Sequence, residues 1–264
     1  MSNSMKVAII GAGNMGGAIA RALAGTGQYS ITVANPSLPK LEAITAEYPS
    51  VKTTTNNIEA ANGADIVILA VKPWLIANVA EQIKPNIDYK HTAIVSLAGG
   101  MSLDTLDGIL VKNNELPVLC RVIPNTALSA GKSMTFIASR RAEKIIADVV
   151  KMFEAMGEVA VIEEKLMDAA TALTSCGIAY VYKFAQACVQ AGVELGFKPA
   201  DALKYVCATM DGAAAMLSQP GAAPQNEIDK VTTPGGMTIK GINELEHSGF
   251  TSAVINAILK PVKK

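Results

Sequence analysis

Eight short apolar runs, separated by helical patterns, occupy the first 162 residues of this 264-residue chain. The runs are rich in valine and isoleucine, and several are continuously apolar, as strands covered on both faces of a sheet are. They span residues 7–10, 31–33, 51–54, 66–71, 93–97, 118–122, 134–138 and 159–162. Helical patterns in between span residues 14–23, 74–83, 103–111 and 142–156. This alternation predicts an α/β fold with a mostly parallel sheet and crossover helices.

From Glu163 onward the strand signal disappears, and long alanine-rich stretches follow, separated by proline or glycine. They span residues 166–195, 199–217, 237–247 and 251–259. The sequence therefore predicts two domains, residues 1–162 and an all-helical domain of residues 163–264. The first stretch is expected as one long helix with more apolar surface than a small helical domain covers alone. We therefore expect a homodimer through these helices, with a larger homo-oligomer such as a decamer as the alternative.

The charge balance excludes several kinds of partner. Lys and Arg together number 23, as do Asp and Glu, so no net field attracts nucleic acid or an anionic membrane. The most apolar long segment, residues 169–193, contains Lys183, Gln186 and Gln190, which favours a buried helix over a membrane span. We therefore expect small molecules and copies of this chain as partners, and neither nucleic acid nor a membrane.

The cysteines and histidines are few. Four cysteines without a C-x-x-C pair predict neither a disulfide framework nor a metal site. The amino terminus lacks the charged-then-apolar pattern of a leader, so we expect buried thiols in a cytoplasmic protein. The two histidines, His91 and His247, are both expected at the surface. If the protein is an enzyme, histidine is not the expected catalyst.

A glycine pattern follows the first apolar run directly. Gly11, Gly13 and Gly16 form G-x-G-x-x-G between a predicted strand and a predicted helix. In such a motif the first glycine permits a tight turn, the second lets the backbone approach a pyrophosphate, and the third lets the helix pack on the strand. The phosphates bind at the helix amino terminus, where Asn14 and Met15 would also contact them. The motif predicts a Rossmann-type dinucleotide-binding domain, and an ordinary strand–helix turn is the weaker alternative.

The end of the second strand determines which dinucleotide is expected. NAD enzymes usually carry an acid there for the ribose diol, but this chain has Asn35 and then Ser37. No carboxylate repels a 2′-phosphate, and Asn35, Ser37 and Lys40 could donate to it. NADP(H) is therefore favoured, with NAD(H) as the alternative. Asn56, just after the third strand, either contacts the adenosine ribose or caps a turn.

Three further strand ends are expected at the same edge, because ligands of open α/β sheets bind beyond the carboxyl ends of the strands. Pro73 forces an extended turn before it, which would direct the backbone at a nicotinamide. Lys72 fits a solvated loop equally well. The residues expected to face the cofactor are Ala70, Val71, Lys72 and Pro73 after the fourth strand, Ala98 and Gly99 after the fifth, and Asn125 after the sixth.

A hydroxyl-rich turn with two glycines opens one of the later helices. It reads Thr232-Thr233-Pro234-Gly235-Gly236-Met237-Thr238. Successive free N–H groups at a helix start bind anions such as a carboxylate, and Thr233 and Thr238 add two hydroxyls. The alternative is an ordinary capped helix start.

With these motifs the chain resembles the pyrroline-5-carboxylate reductase family over nearly its whole length. The resemblance rests on the early glycine motif, residues 70–73, residues 124–126, and above all residues 232–238 with Gly249 and Phe250 after them. It implies the last step of proline biosynthesis, the NAD(P)H-dependent reduction of 1-pyrroline-5-carboxylate to L-proline. In that reaction a hydride is transferred to the cyclic imine.

The resemblance also implies roles for the later turn. Gly235, Gly236, Met237 and Thr238 would fix the substrate carboxylate, mainly through backbone N–H groups. The Thr238 hydroxyl would lie near the ring nitrogen as the catalytic group, and Thr233 would line the pocket. A protonated imine is already an electrophile, so hydride addition needs orientation more than a strong acid. This chemistry requires no histidine.

The chain departs from the family pattern at two places. The family has Gly-Ser-Gly-Pro-Ala-Tyr early in the long helix, whereas residues 175–180 keep only Gly177, Ala179 and Tyr180. Met237 stands where the family frequently has a small residue or threonine. Both changes bear on the size of the pocket.

Two other functions are alternatives. A 3-hydroxyacid dehydrogenase would share Gly177 and Lys183, but it would have an asparagine where this chain has Ala187. A non-catalytic NADP-binding sensor would keep the glycine motif and have no use for the anion-binding turn.

Overall fold

In the described part of the chain, eight strands form a single sheet. The structure is a computed structural model and describes residues 4–140 and 143–262. The strands are β1 (Met5–Ile10), β2 (Tyr29–Ala34), β3 (Lys52–Thr54), β4 (Ile66–Leu69), β5 (Ala93–Ser96), β6 (Val118–Ile123), β7 (Ser133–Ser139) and β8 (Gly157–Val161). All eight predicted strands are present.

The sheet has the order β3-β2-β1-β4-β5-β6-β7-β8. The first six strands run parallel, β7 pairs antiparallel with β6, and β8 pairs parallel with β7. The prediction of a mostly parallel, Rossmann-type sheet is therefore confirmed. The chain order reverses between β1 and β4, and the crevice beyond their carboxyl ends is where open sheets bind ligands.

Helices connect the strands and make up the chain after the sheet. They are α1 (Asn14–Thr26), α2 (Leu38–Glu47), α3 (Asn57–Ala61), α4 (Ile76–Ile83), α5 (Leu103–Leu110), α6 (Glu143–Glu154), α7 (Met167–Ala170), α8 (Gly177–Glu194), α9 (Pro199–Leu217), α10 (Pro224–Val231), α11 (Met237–His247) and α12 (Phe250–Leu259). Of these, α2, α3 and α10 were not predicted. Ala142, the expected start of the helix before β8, lies outside the described residues.

The long helix expected at residues 166–195 is interrupted. A π-helical turn, Thr171–Cys176, separates α7 from α8. Within it, the Thr174 hydroxyl donates to the Ala170 carbonyl oxygen at 3.1 Å, and Ser175 donates to the Pro124 carbonyl oxygen at 3.1 Å. The expectation of one regular helix is wrong for this stretch.

Apolar clusters cover both faces of the sheet. Val7 and Ile9 belong to one cluster, and Ala8 and Ile10 belong to the other. Successive side chains of a strand point to opposite faces, so a strand covered on both sides is apolar at every position. This explains why the strand runs were continuous in the sequence.

The chain divides into two compact units, one ending at Ser175 and one beginning at Cys176. Residues 163–175, placed by the sequence analysis in the second domain, lie in the first unit. Met167 is fully buried in a cluster with Ile123 of β6 and Ala138 of β7. This contact ties the segment to the sheet.

The second unit has almost no buried interior of its own. Among its described residues, Ala202 is the only buried one. Phe184 packs on Phe250 with ring centroids 6.3 Å apart, yet both remain substantially exposed, and Leu195 is 80% exposed. No helix in the described part of the chain is long and apolar enough to cross a membrane. Apolar surface on this scale marks an interface with another protein surface.

The four cysteines are free thiols. Cys120 is buried, and burial raises the pKa of its thiol above the ordinary value. Cys176 and Cys188 are half-buried, and Cys207 is exposed. The expectation of buried thiols therefore holds for Cys120 and is wrong for Cys207 in the single chain.

The lack of a buried interior in the second unit leads to a prediction about stability. If the helices fold only with a partner copy, unfolding is coupled to dissociation, and stability rises with protein concentration. We expect a hundredfold rise in concentration to stabilise a dimer by about 2.7 kcal/mol. Urea unfolding followed by circular dichroism measures this shift. A midpoint independent of concentration, with a monomeric mass by light scattering, would contradict the prediction.

Candidate active site

The three glycines of the early motif occupy different local environments. Gly11 has φ +108°, and a Cβ there would lie 2.7 Å from the Ala70 carbonyl oxygen. A Cβ at Gly16 would lie 2.0 Å from the Gly11 carbonyl oxygen. At Gly13, by contrast, no heavy atom lies within 4 Å of the Cβ position. The turn is tightly packed at Gly11 and Gly16 and open at Gly13, the position where a phosphate group can approach the backbone.

The amino terminus of α1 is free to bind an anion. Gly13 is its N-cap, no side chain caps it, and its first turn carries no acidic residue. Gly17 donates its N–H to the Gly13 carbonyl oxygen at 2.8 Å, which closes the first helical hydrogen bond. The N–H groups of Asn14, Met15 and Gly16 precede that bond and have no partner within the helix. Together with the helix dipole they fit the pyrophosphate of a dinucleotide.

Neighbouring strands end side by side at this edge. Ala70 donates its N–H to the Ile10 carbonyl oxygen at 2.9 Å, and Leu97 donates to the Leu69 carbonyl oxygen at 3.1 Å. The loops after β1, β4 and β5 therefore start from adjacent positions. The predicted residues 70–73 and Ala98 lie on these loops.

Those loops differ in exposure. Val71 is half-buried, whereas Lys72 is exposed and extended, with ψ 147°, as a residue before proline prefers. Pro73 opens a short 3₁₀ turn. Ala98 is buried and Gly99 is exposed.

Asn35, just after β2, holds the glycine turn through a side-chain hydrogen bond. It is buried, its Oδ1 accepts from the Ala12 N–H at 3.0 Å, and its Nδ2 donates to the Ser37 carbonyl oxygen at 3.3 Å. One side chain thus holds both the glycine turn and the turn that leads into α2. Ser37 is the N-cap of α2 and makes no side-chain capping bond.

Two other predicted asparagines cap helical turns. The Oδ1 of Asn56 accepts from the Ile58 N–H at 2.9 Å and caps α3. The Oδ1 of Asn125 accepts from the Ala127 N–H at 3.0 Å after β6. A contact between Asn56 and a ribose would therefore use its amide nitrogen.

A cavity of about 760 Å³ lies beside the glycine turn and is lined by Gly13 and Asn14. Lys40 of α2 and Arg21 of α1 also line it, and Arg21 is paired with Glu47 at 2.7 Å. Of these two residues, Lys40 was predicted from the sequence and Arg21 was not. The overlooked signal is the seven-residue spacing from Asn14, which puts both on one face of a helix.

The second candidate site is the turn before α11. Pro234 precedes Gly235, which has φ +71°, and Gly236 donates its N–H to the Thr233 carbonyl oxygen at 3.0 Å. Proline followed by a left-handed glycine in a hydrogen-bonded four-residue turn is typical of type II. Pro234 and Gly235 therefore determine the backbone conformation of the turn that leads into α11.

This turn determines which N–H groups are free. The Gly236 N–H is used in the turn, so the N–H groups left without a partner within the helix are those of Met237, Thr238 and Ile239, in the first turn of α11. No side chain caps them, and the first turn has no acidic residue. A Cβ at Gly236 would lie 2.6 Å from the Thr233 Oγ1, so the Thr233 hydroxyl lies over the same turn.

Both histidines are surface residues, as expected. His91 lies before β5, at the amino edge of the sheet, and its side chain is 80% exposed near Asp88. His247 is exposed in the last turn of α11. Neither occupies the glycine turn or the turn before α11.

Two family models match the chain. One, described as pyrroline-5-carboxylate reductase dimerisation, matches residues 164–264, and one, described as NADP oxidoreductase, coenzyme F420-dependent, matches residues 6–100. Pyrroline-5-carboxylate reductase 2 of Dictyostelium discoideum is 34% identical, and the match covers 100% of this chain and 93% of that protein. The chain belongs to the pyrroline-5-carboxylate reductase family.

Solved structures agree with this assignment. A pyrroline-5-carboxylate reductase from Coxiella burnetii superposes with a TM-score of 0.88 at 29% identity, covering 98% of this chain and 97% of that one. The Plasmodium falciparum pyrroline carboxylate reductase, solved with NADP bound, gives 0.86 at 27% identity, covering 99% and 96%. The resemblance inferred from the motifs is confirmed for family and fold.

The open position at Gly13 leads to a prediction about cofactor binding. Its φ of −74° suits alanine, so Gly13→Ala should fold normally while its methyl group occupies the path of the phosphates. We expect NADPH to bind at least tenfold more weakly, about 1.4 kcal/mol, in a fluorescence titration. Gly108→Ala, in open space on α5, is the matched control and should leave affinity unchanged. Equal affinities in both variants would remove Gly13 from the phosphate site.

Proposed function

We propose that this protein reduces 1-pyrroline-5-carboxylate to L-proline, the last step of proline biosynthesis. The observation that carries the proposal is that a member of this family retains both an open glycine turn at the sheet edge and an uncapped, acid-free turn before α11. NADP(H) is the favoured cofactor and NAD(H) the alternative. When bound, the dinucleotide supplies the hydride.

The turn before α11 recognises the substrate carboxylate. The N–H groups of Met237, Thr238 and Ile239 lie at the positive end of an 11-residue helix, where a carboxylate is stabilised. Gly235 and Gly236 give the turn its shape, and Thr233 lines the same pocket. Because the carboxylate is attached to the ring, holding it also orients the imine carbon that accepts the hydride.

Thr238 assists at the nitrogen. It is the second residue of α11, so its side chain arises from the same turn that holds the carboxylate. We assign to its hydroxyl a hydrogen bond with the ring nitrogen, as imine and then as amine. The substrate enters as a protonated imine and becomes a neutral amine, so the enzyme supplies orientation and no strong acid.

Three features support NADP(H) over NAD(H). The end of β2 carries Asn35, which repels no phosphate. Ser37 opens α2 without using its hydroxyl as a cap, and Lys40 lies in the same cavity as Gly13 and Asn14. A hydroxyl and an ammonium group beside the phosphate loop match the 2′-phosphate. The family model described as an NADP oxidoreductase supports the same choice.

The protein is a homo-oligomer, and we propose a dimer formed through the helices after residue 163, with a decamer of such dimers as the larger alternative. The exposed apolar side chains of the second unit and the match of residues 164–264 to a dimerisation model support this. Four free thiols support a reducing compartment, the cytoplasm.

The activity itself is tested by a spectrophotometric assay. Purified protein should oxidise NADPH when 1-pyrroline-5-carboxylate is added and form proline in equal amount, with NADH compared in parallel. A 3-oxo acid or its semialdehyde serves as the control substrate, because a 3-hydroxyacid dehydrogenase would use it. Activity with the control alone would overturn the proposal.

Thr238→Ala tests the role of the hydroxyl. Loss of one hydrogen bond at the reacting nitrogen should lower turnover about tenfold, since each 1.4 kcal/mol is a factor of ten in rate. NADPH affinity should stay near normal, and Thr238→Ser should retain most activity. Thr45→Ala, which removes a hydroxyl bonded to the Leu41 carbonyl oxygen within α2, is the control. Unchanged turnover in Thr238→Ala would remove Thr238 from the mechanism.

A further inference from the structure

Glu164 begins the segment by which the chain leaves the sheet, and three groups hold its carboxylate. Oε1 accepts from the Leu103 N–H at 2.5 Å and from Arg121 Nη1 at 3.2 Å. Oε2 accepts from Arg140 Nη2 at 2.5 Å. The side chain is 20% exposed. One carboxylate therefore joins the start of α5, strand β6 and the residue that follows β7.

Arg121 is a buried cation on β6, with 4% of its surface exposed. Besides Glu164, it faces Asp168, whose Oδ1 lies 3.7 Å from Nη2 and whose side chain is largely exposed. In the described part of the chain, its buried Nε has no hydrogen-bond partner. A buried cation with an unmade hydrogen bond is a poor source of stability. The presence of Arg121 is better explained by its contact with Glu164, which it holds in place.

The contact with Leu103 fixes the loop between β5 and α5. Ser102 is the N-cap of α5, and its Oγ accepts from the Thr105 N–H at 3.1 Å. The Leu103 N–H, another of the unpaired groups at a helix start, is taken by Glu164. The start of α5 is therefore tied to β6 through one side chain. Residues 97–101, which include the expected cofactor contacts Ala98 and Gly99, lie between that point and β5.

Glu164 carries a fixed negative charge. Burial by itself would raise the pKa of its carboxyl, but hydrogen bonds from the Leu103 N–H, Arg140 and Arg121 hold that pKa below the ordinary value. The hydrogen bond from Arg140 lowers the pKa of Asp104 in the same way. An ionised carboxylate with three donors on it has no proton to give, so its contribution is geometric.

We propose that Glu164, with Arg121 as its buried counter-ion, is a positioning residue for the cofactor. By binding the Leu103 N–H it sets the conformation of residues 97–102, which form part of the cofactor-binding edge; this rests on the function proposed above. A neutral amide at residue 164 weakens the attraction of both arginines and leaves Arg121 opposite the more distant Asp168. Residues 97–102 then lose the contact that fixes their carboxyl-terminal end at Leu103.

Glu164→Gln tests the proposal through binding and loop order. We expect the dissociation constant of NADPH to rise about tenfold, with the KM for 1-pyrroline-5-carboxylate within about twofold. In the protein without cofactor, amide hydrogen exchange across residues 97–103 should be faster. Glu81→Gln is the matched control, because Glu81 of α4 pairs with Lys84, just after that helix, at a similar short distance of 2.6 Å. That variant should match wild type in both measurements.

Arg140→Gln is a second variant that tests the same proposal if Glu164→Gln does not fold. It removes the outer arginine, 43% exposed, and leaves Arg121 and Glu164 in place. We expect about a threefold weaker NADPH affinity and faster exchange in the same loop. A lower melting temperature with unchanged affinity and exchange would show a purely structural role and overturn the proposal. If the wild-type protein binds NADPH but does not reduce the imine, the proposed function is wrong. The NADPH affinity and the amide hydrogen exchange of the variants still test the role of Glu164 in that case.

Discussion

The close approach of α1 to β1 is the constraint on which the rest of the cofactor edge depends. A Cβ at Gly16 would lie 2.0 Å from the Gly11 carbonyl oxygen, so the helix can begin at the sheet edge only with glycine there. The Gly11 N–H also donates to the Ala34 carbonyl oxygen at 2.8 Å, while Ala70 donates to Ile10. The glycine turn is therefore part of the sheet's hydrogen-bond network, and the free N–H groups at the start of α1 are held in place before any ligand binds.

Strands such as β4 could be predicted from the sequence because burial on both faces makes them continuous apolar runs. The direction of β7 could not, since alternation of faces is the same in parallel and antiparallel pairs. Two of the three missed helices lack an apolar signal for specific reasons. The helix α3 is a five-residue turn set by the Asn56 cap, and α10 is mostly polar. The π-helical turn at Thr171–Cys176 also leaves no periodic signature.

For the candidate site, the sequence could show residue types and local turns, because Gly11, Gly16 and the Pro234-Gly235 pair act within a few residues of themselves. It could not show how hydrogen bonds are shared. Asn35 bonds to Ala12, 23 residues away, and Arg121 meets Glu164, 43 residues away. Such pairs depend on the fold, which brings β6 next to the residues after β8 that include Glu164, and no spacing rule reveals them.

The placement of charge fits a reaction governed by orientation. A protonated imine needs no histidine acid, and both histidines are exposed away from the turns. Arg121 is buried and Glu164 is mostly buried, they pair with each other, and Glu164 accepts from the Leu103 N–H. The turn before α11 leaves backbone N–H groups free at the start of a helix whose first turn has no acidic residue. Hydride transfer is sensitive to displacements of about 1 Å. In the proposed mechanism, orientation of the substrate and the cofactor by the two turns therefore takes the place of an acid that activates the substrate.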